Sequence, residues 1–214
     1  NKLGLENLIL LSDNNCCSMQ SLKKKTFEFF KKVAGYDTLR LILCKKSILV
    51  EGDSDELVVQ RAYMDTHEGR LPIQDGIDVM TVRGVTFKRY LEIARILNKE
   101  TAVVTDNDGN IEAVKKKYKE YEEIPFIHIC VDEVVDTGDL KLSGKDFNYN
   151  TLEPKILKEN GLEVMNNIFG TKYDTDDDMH RYMHAHKTDC AIAIFESAMK
   201  IKYPEYIMRA LKNE

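Results

Sequence analysis

The stretch that decides the fold reads Lys-Ser-Ile-Leu-Val-Glu-Gly-Asp-Ser-Asp-Glu and spans Lys46–Glu56. Its apolar run stops at Glu51, and Gly52 then lets the backbone turn. Ser54 or Asp55 can cap a helix that starts near the end of the stretch. A buried strand that ends in a carboxylate, turns on glycine and continues as a helix presents that acid at the carboxyl edge of a parallel sheet.

Further acids crowd the same corner of the predicted sheet. Asp53, Asp55 and Glu56 all follow Glu51 within one helical turn or so. So much negative charge beside a sheet edge is costly unless a cation lies there. The stretch therefore predicts a divalent-metal site with Glu51 at its centre.

A second predicted strand, Thr101–Thr105, also ends in acids, because Asp106 and Asp108 follow it directly. In a parallel sheet both strand ends lie at the same edge, so Glu51 and this pair converge if the two strands are close neighbours. Carboxylate oxygens suit Mg²⁺, which usually keeps several waters. Two such ions about 4 Å apart would activate a water and stabilise the departing oxygen in phosphodiester cleavage.

Other interpretations of Asp-Asn-Asp-Gly-Asn at 106–110 fit less well. An EF-hand needs glycine at its sixth position and glutamate at its twelfth, where this chain has Ile111 and Lys117. The pattern of the aspartyl-phosphate phosphatases has Thr or Val four residues after the first Asp, where this chain has Asn110. A plain turn rich in Asp and Asn remains open.

The order of the segments predicts an α/β fold. Strands alternate with helices up to residue 131, which indicates a mainly parallel sheet with right-handed crossovers, and every segment after Thr151 has a helical pattern. We expect a connecting segment over 1–45, a sheet-containing core over 46–150 and a helical part over 151–214. The core ends in an acidic, turn-rich loop, 132–150, to which we assign no role. Leu8–Leu11 predicts a short strand with partners elsewhere in the protein.

The composition limits the classes of protein to which the chain can belong. Its 214 residues are 43% hydrophobic and 31% charged, as in a globular protein, and contain no apolar run of about 18 residues that predicts a membrane span. Five cysteines, an odd number, favour thiols in a reducing cytoplasm over a disulfide framework. The net charge of −5 argues against wrapping nucleic acid by bulk electrostatics, but bound cations restore positive charge where phosphate must approach.

The motifs carry a family resemblance. Leu-Val-Glu-Gly-Asp-Ser-Asp-Glu at 49–56, followed by Val-Val-Thr-Asp-Asn-Asp at 103–108, resembles the Toprim domain of topoisomerases, primases and certain nucleases. Three later segments, Asn150–Pro154, Lys187–Glu196 and Tyr203–Ile207, resemble the OLD (overcoming lysogenization defect) nucleases. That family includes the GajA subunit of Gabija anti-phage systems. The resemblance implies a Toprim-type fold with a helical C-terminal extension, and a metal-dependent DNA endonuclease that acts in anti-phage defence.

The resemblance also implies roles for individual residues. Two Mg²⁺ or Mn²⁺ ions would share five acids: Glu51, Asp55, Asp106, Asp108 and Glu153. Glu51 would serve as metal ligand or general base, and Asp55 and Glu153 would complete the shell of the second metal. Lys187 matches a late lysine that would stabilise the charge of the pentacovalent phosphate.

The partners that the resemblance implies lie partly outside this sequence. In the family an ABC-type ATPase domain precedes the Toprim domain, and no Gly-x-x-x-x-Gly-Lys-Ser/Thr loop occurs here. We therefore expect the ATPase domain to be missing from this piece and ATP to act only through it. DNA, a homo-oligomeric full-length protein and a helicase subunit are the other expected partners.

Plainer interpretations of the same residues stay open. Glu153 also suits the first turn of a helix, where the helix dipole favours an acid, and Lys187 also suits a solvated helix start. His180 and His184 share a predicted helix face and would bind zinc together with Asp176 or Cys190. Two other functions compete with the nuclease: another Toprim enzyme, topoisomerase-like or primase-like, and a non-catalytic module that binds DNA or a partner and holds structural metals.

Overall fold

The N-terminal part of the chain forms a hairpin and two helices. The computed structural model describes residues 9–12, 15–18, 21–33, 36–82 and 86–212. Strands β1 (Ile9–Ser12) and β2 (Asn15–Ser18) pair antiparallel and precede helices α1 (Lys24–Val33) and α2 (Tyr36–Leu43). The expectation of distant partners for the first strand is wrong, because β1 pairs with the neighbouring strand β2. Leu8, the first residue of the predicted strand, lies outside the described residues.

A four-stranded parallel sheet forms the centre of the fold, in the order β4-β3-β5-β6. Its strands are β3 (Lys46–Val50), β4 (Ile77–Thr81), β5 (Glu100–Val104) and β6 (Ile127–Cys130). Helices α3 (Asp53–Thr66), α4 (Phe87–Leu97) and α5 (Ile111–Tyr118) connect them. The predicted α/β class is confirmed, and β3 and β5 are direct neighbours with Leu49 opposite Val103.

Both faces of the sheet are covered, which is why most residues of its strands are buried. Residues alternate between two hydrophobic cores: Ile48 and Val50 face one, and Leu49 faces the other. The first core contains α3 and the C-terminal helices, and the second contains α1, α2 and α4. The sheet is thus fixed from both sides, and its carboxyl rim is held rigidly.

The chain after β6 consists of a loop and a group of helices. The predicted loop 132–150 includes a small hairpin of β7 (Lys141–Leu142) and β8 (Lys145–Asp146). Four helices follow: α6 (Leu152–Phe169), α7 (Asp176–Ala185), α8 (Lys187–Glu196) and α9 (Glu205–Leu211). Gly161, with φ 77°, interrupts α6. None of the helices in the described ranges is long and apolar enough to cross a membrane.

Helix α3 begins earlier than the sequence predicts. Its first residue is Asp53 and Gly52 is its N-cap, whereas the prediction places the start near Glu56 with Ser54 or Asp55 as the cap. The reason is that the Asp55 carboxylate accepts a hydrogen bond of 3.0 Å from the backbone N–H of Gly52. An acid at the third helical position thus satisfies a donor at the helix start from inside the helix.

Candidate metal centre

Glu51 and Asp106 meet at the carboxyl rim of the sheet. Glu51 follows β3 and Asp106 follows Thr105 at the end of β5, its direct neighbour. The Thr105 hydroxyl donates a hydrogen bond to Glu51 Oε1, which joins the two strand ends. The structure therefore brings together the two strand-end acids on which the sequence argument depends.

Asp55 comes to the same place from the first turn of α3. Its pKa is raised from its ordinary value of 3.8 to about 7, first by burial and then by the charges of Glu153 and Glu51. The hydrogen bond from the N–H of Gly52 opposes this rise without cancelling it. At neutral pH the site thus already contains more negative charge than it accommodates without a cation.

Asp106 is the most strongly perturbed acid at the rim. Burial raises its pKa well above the ordinary value, and four neighbouring carboxylates add to the effect: Asp55, Glu51, Glu153 and Asp108. We call these five acids the rim cluster: Glu51, Asp55, Asp106, Asp108 and Glu153. They are the same five that the sequence analysis assigns to metal binding.

Helices from the C-terminal part complete the rim. Glu153, in the first turn of α6, is only 8% exposed although it is an acid. The Lys187 ammonium, from the start of α8, lies 3.1 Å from both of its carboxylate oxygens. The Lys187 side chain is still 44% exposed, so its charge is accessible from solvent. Residues 34 positions apart, which only the family resemblance links, thus form a direct ion pair.

Asp108 lies at the outer edge of the cluster and is exposed. Its backbone is left-handed, with φ 48°, and Gly109 beside it has φ 77°. The conformation is unfavourable for a non-glycine residue and is typical of turns and functional sites. The Asn148 amide donates a hydrogen bond of 2.9 Å to Asp108 Oδ1. The Asp-x-Asp segment is therefore a shaped turn whose second acid is held by the loop 132–150.

The other acids of the first motif have different surroundings. Asp53 is exposed at the helix start. Glu56 accepts hydrogen bonds from the Thr81 hydroxyl at 2.8 Å and from the Gln60 amide at 3.1 Å, so its carboxylate is already satisfied by protein donors. Of the four acids predicted at this corner, only Glu51 and Asp55 therefore belong to the rim cluster.

The donor set suits a hard divalent cation. The rim cluster offers carboxylate oxygens, the ligands that Mg²⁺ and Mn²⁺ prefer. Nevertheless, within the described ranges no three or more His, Cys, Asp or Glu side chains form a ready-made metal site. Three of the rim acids instead accept hydrogen bonds from protein donors. The Thr105 hydroxyl donates to Glu51, the Gly52 N–H donates to Asp55, and the Lys187 ammonium donates to Glu153.

A buried hydroxyl supports the fit. Tyr206 of α9 is 3% exposed, and its hydroxyl has no hydrogen-bond partner among the described residues. Burial and the charges of Asp106, Asp55, Asp132 and Glu153 raise its pKa well above the ordinary value, which places it among the acids. A buried donor without a partner is costly and is expected where a ligand supplies the missing acceptor. Sequence reasoning found Tyr206 only as part of a family motif, without a role.

The histidines of α7 do not form the zinc site considered from the sequence. His180 is buried, and its ring packs 5.0 Å from that of Phe147 and 5.3 Å from that of Tyr149. The His184 ring lies 6.0 Å from that of Phe147. These histidines fix the loop 132–150 onto α7 as aromatic packing partners, which gives that loop a structural attachment close to the rim.

The comparisons with known proteins agree with this geometry. Residues 42–108 match the family described as "Overcoming lysogenization defect protein-like, TOPRIM domain". This stretch, about a third of the chain, is similar to the OLD-like Toprim domain. The match contains four acids of the rim cluster, Glu51, Asp55, Asp106 and Asp108, and members of the family are generally nucleases that bind divalent metals.

Solved structures extend the likeness of the fold beyond the Toprim stretch. The platinum-phased C-terminal region of the Xanthomonas campestris pv. campestris OLD protein is 21% identical over 80% of this chain and 92% of its own, with a TM-score of 0.54. The iodine-phased structure of the same region is 20% identical over 78% and 92%, with a TM-score of 0.51. At this identity the likeness shows the fold alone. No curated protein matches the chain significantly.

Proposed function

We propose that this chain is the Toprim part of a divalent-metal-dependent DNA endonuclease. The proposal is carried by the partly buried position of Asp55 and Asp106 together at the carboxyl rim, where desolvation and the negative charges of Glu51 and Glu153 raise the pKa of both. Acids held in mutual repulsion are unfavourable in a structural role, whereas they bind a divalent cation strongly. A nuclease of the two-metal type needs this concentration of carboxylates.

Each acid of the rim cluster has a role in the proposed reaction. Bound Mg²⁺ or Mn²⁺, two ions in our proposal, would supply an activated water and charge stabilisation at the leaving oxygen. Glu51, Asp106 and Asp108 would hold the ions from the strand ends. Asp55 and Glu153 would complete the shell from the helix starts. Glu51 lies at the centre and is also the residue that would accept a proton from the attacking water.

Lys187 would act on the phosphate. Its ammonium is placed against Glu153 at 3.1 Å and remains 44% exposed, so it can reach an anion at the rim without a large movement. A fixed positive charge stabilises the extra negative charge of the pentacovalent phosphate, which is the main requirement in phosphoryl transfer. The pairing with Glu153 holds the lysine in place before substrate arrives.

The wider setting of the proposal comes from the family resemblance. It includes DNA as substrate, an N-terminal ATPase domain in the same chain through which ATP acts, and a homo-oligomeric full-length protein in the cytoplasm. The further proposals of anti-phage defence and a helicase partner rest on the resemblance to the Gabija subunit.

Nicking of supercoiled plasmid by the Asp106→Asn variant tests the proposal. Asparagine keeps the shape and removes the charge, so we expect nicking in Mn²⁺ to fall by at least about 100-fold, as when a preorganised charge is removed from an active site. Asp146→Asn is the matched control, because Asp146 lies in the exposed β7–β8 hairpin with a side chain 85% exposed. Retained nicking by Asp106→Asn, or DNA binding without cleavage by the unsubstituted protein in Mg²⁺ and Mn²⁺, would overturn the nuclease assignment.

A further inference from the structure

A buried lysine lies beneath the rim without touching it. Lys155 is in the second turn of α6, two residues after Glu153, and its side chain is only 4% exposed. Its ammonium contacts Asp132 at 2.6 Å, Asp136 at 2.7 Å and the carbonyl oxygen of Val134 at 3.0 Å. All three partners belong to the segment 132–150, which we call the strap.

The strap carries a continuous route of hydrogen bonds from Lys155 to Asp108. The Asp136 backbone N–H donates to Asn150 Oδ1 at 2.7 Å, and the Asn150 amide donates back to the Asp136 carbonyl at 2.8 Å. The Asn150 backbone N–H then donates to Asn148 Oδ1 at 2.9 Å. Asn148 Nδ2 in turn donates to Asp108 Oδ1 at 2.9 Å. Each link is a direct contact, so a displacement of Asp136 moves the residue that holds Asp108.

A second set of hydrogen bonds joins the strap to the turn that contains Asp108. Asn107, 2% exposed, donates from its amide to the carbonyl oxygens of Asp132 at 2.7 Å and Val134 at 2.9 Å. Its Oδ1 accepts the Gly109 N–H at 2.8 Å, which closes the turn around Asp108. The left-handed backbone of Asp108 needs such support, because the conformation is unfavourable for a residue with a side chain.

The charges around Lys155 are balanced inside the protein. Burial alone would lower the pKa of Lys155, but the hydrogen bonds that its ammonium donates to Asp132 and Asp136 outweigh burial and raise the pKa. Burial would raise the pKa of Asp136, and the bonds from Lys155 and Lys158 lower it instead. The strap is therefore fixed by an ion-pair network that is complete without any added cation.

We propose that Lys155 is a positioning residue that, acting through the strap, fixes the Asp108 carboxylate in the orientation that binds metal. The inference rests on the proposed function, since it takes Asp108 as a metal ligand. Groups that orient a ligand from outside the first shell commonly change metal affinity by about 10- to 100-fold when they are removed.

Mn²⁺ titration of the intact protein by calorimetry tests the inference without measuring cleavage. We expect Lys155→Met to weaken Mn²⁺ binding by about 10-fold. Lys158→Met is the matched control, because Lys158 contacts the same Asp136 carboxylate but is 55% exposed. The Mn²⁺ affinity of this variant should stay within about 2-fold of that of the unsubstituted protein. Asn148→Ala, at the exposed end of the route, should reproduce the loss with little effect on folding.

The double variant separates positioning from a merely structural role. If Lys155 acts through Asn148, the combined substitutions weaken Mn²⁺ binding about as much as one of them alone, because both break one route. Unchanged affinity in Asn148→Ala, or additive losses, would overturn the inference and leave the nuclease proposal standing. If Lys155→Met does not fold, Asn148→Ala alone decides between these outcomes. Absence of Mn²⁺ binding by the unsubstituted protein would overturn the proposed function itself, and this inference with it.

Discussion

This protein contains two groups of partly buried acids, and their charges are balanced differently. In the strap, Asp132 and Asp136 surround Lys155, and the pKa of Asp136 is lowered. In the rim cluster, Asp55 and Asp106 have raised pKa values because burial and other acids surround them. The first group has its cation built into the chain, whereas the second, in our proposal, takes one from outside. The difference separates acids that support the fold from acids that are available for chemistry.

Lys155→Met is expected to have the largest effect on stability, because it converts the balanced group into an unbalanced one. Removing one partner of a buried ion pair costs about 3 kcal/mol or more of unfolding free energy, since the remaining charges stay buried. Urea unfolding of Lys155→Met beside Lys158→Met measures this. The exposed Lys158 should contribute less than about 1 kcal/mol, and equal losses in the two variants would show that burial does not distinguish them.

Lys187→Met is expected to have the next largest effect, and on cleavage rather than on folding. Loss of a charge that meets the transition state should lower kcat by about 100-fold, which corresponds to about 2.7 kcal/mol. Single-turnover nicking in saturating Mn²⁺ measures it, with Lys172→Met, an exposed lysine outside the rim, as the control. A change in the Mn²⁺ requirement with an unchanged kcat would assign Lys187 to holding Glu153 instead.

Asp55→Asn tests the rim cluster through the pH dependence of the protein's stability. The pKa of Asp55 in the folded protein, about 7, is above its ordinary value of 3.8, so the folded state holds this proton more tightly than the unfolded chain. The associated stability is full below about pH 4 and is lost as the pH rises to about 7. Asparagine cannot ionise, so Asp55→Asn should stabilise the metal-free protein at pH 8 by about 2 kcal/mol after allowance for partial exposure.

Thermal unfolding of both proteins without metal between pH 4.5 and pH 8 measures this gain. It should shrink steadily towards the acid end, because the unsubstituted acid is then protonated in the folded state. A gain that does not depend on pH would mean that Asp55 does not carry the uncompensated charge.

Tyr206→Phe should have the smallest effect, and the direction of the change in stability is what makes it informative. The substitution removes a buried hydroxyl that has no partner among the described residues, so the metal-free protein should become more stable by up to about 1 kcal/mol. Mn²⁺ binding should weaken by a few fold, because the hydroxyl would no longer donate to the ligands of the loaded site. Destabilisation of the metal-free protein would indicate a partner for the hydroxyl and remove it from the site.

Sequence reasoning could find the rim because its essential acids are adjacent to strong local signals. Glu51 and Asp106 follow apolar, β-branched strands, and a parallel sheet places such ends together. Glu153 and Lys187 have no local signal, since an acid in a first helical turn and a lysine at a helix start are common, and only the resemblance identified them.

The supports of the site were out of reach of sequence reasoning for a physical reason. Lys155, Asn107 and Asn148 make contacts with residues 21 to 40 positions away, and nothing in their immediate neighbours marks them. The start of α3 was misplaced because Asp55 caps Gly52 from within the helix. In both cases the interaction is a side-chain hydrogen bond to the backbone or to a distant segment, which periodicity does not register.

The central claim is that the rim acids together hold divalent cations. Anomalous diffraction from a crystal soaked in Mn²⁺ tests it most directly, because manganese is located without assumptions about the chemistry. We predict anomalous density among the carboxylates of Glu51, Asp106 and Asp108, with Glu153 turned from Lys187 towards it. Manganese bound elsewhere, with the rim acids still engaged by Thr105, Gly52 and Lys187, would contradict the account.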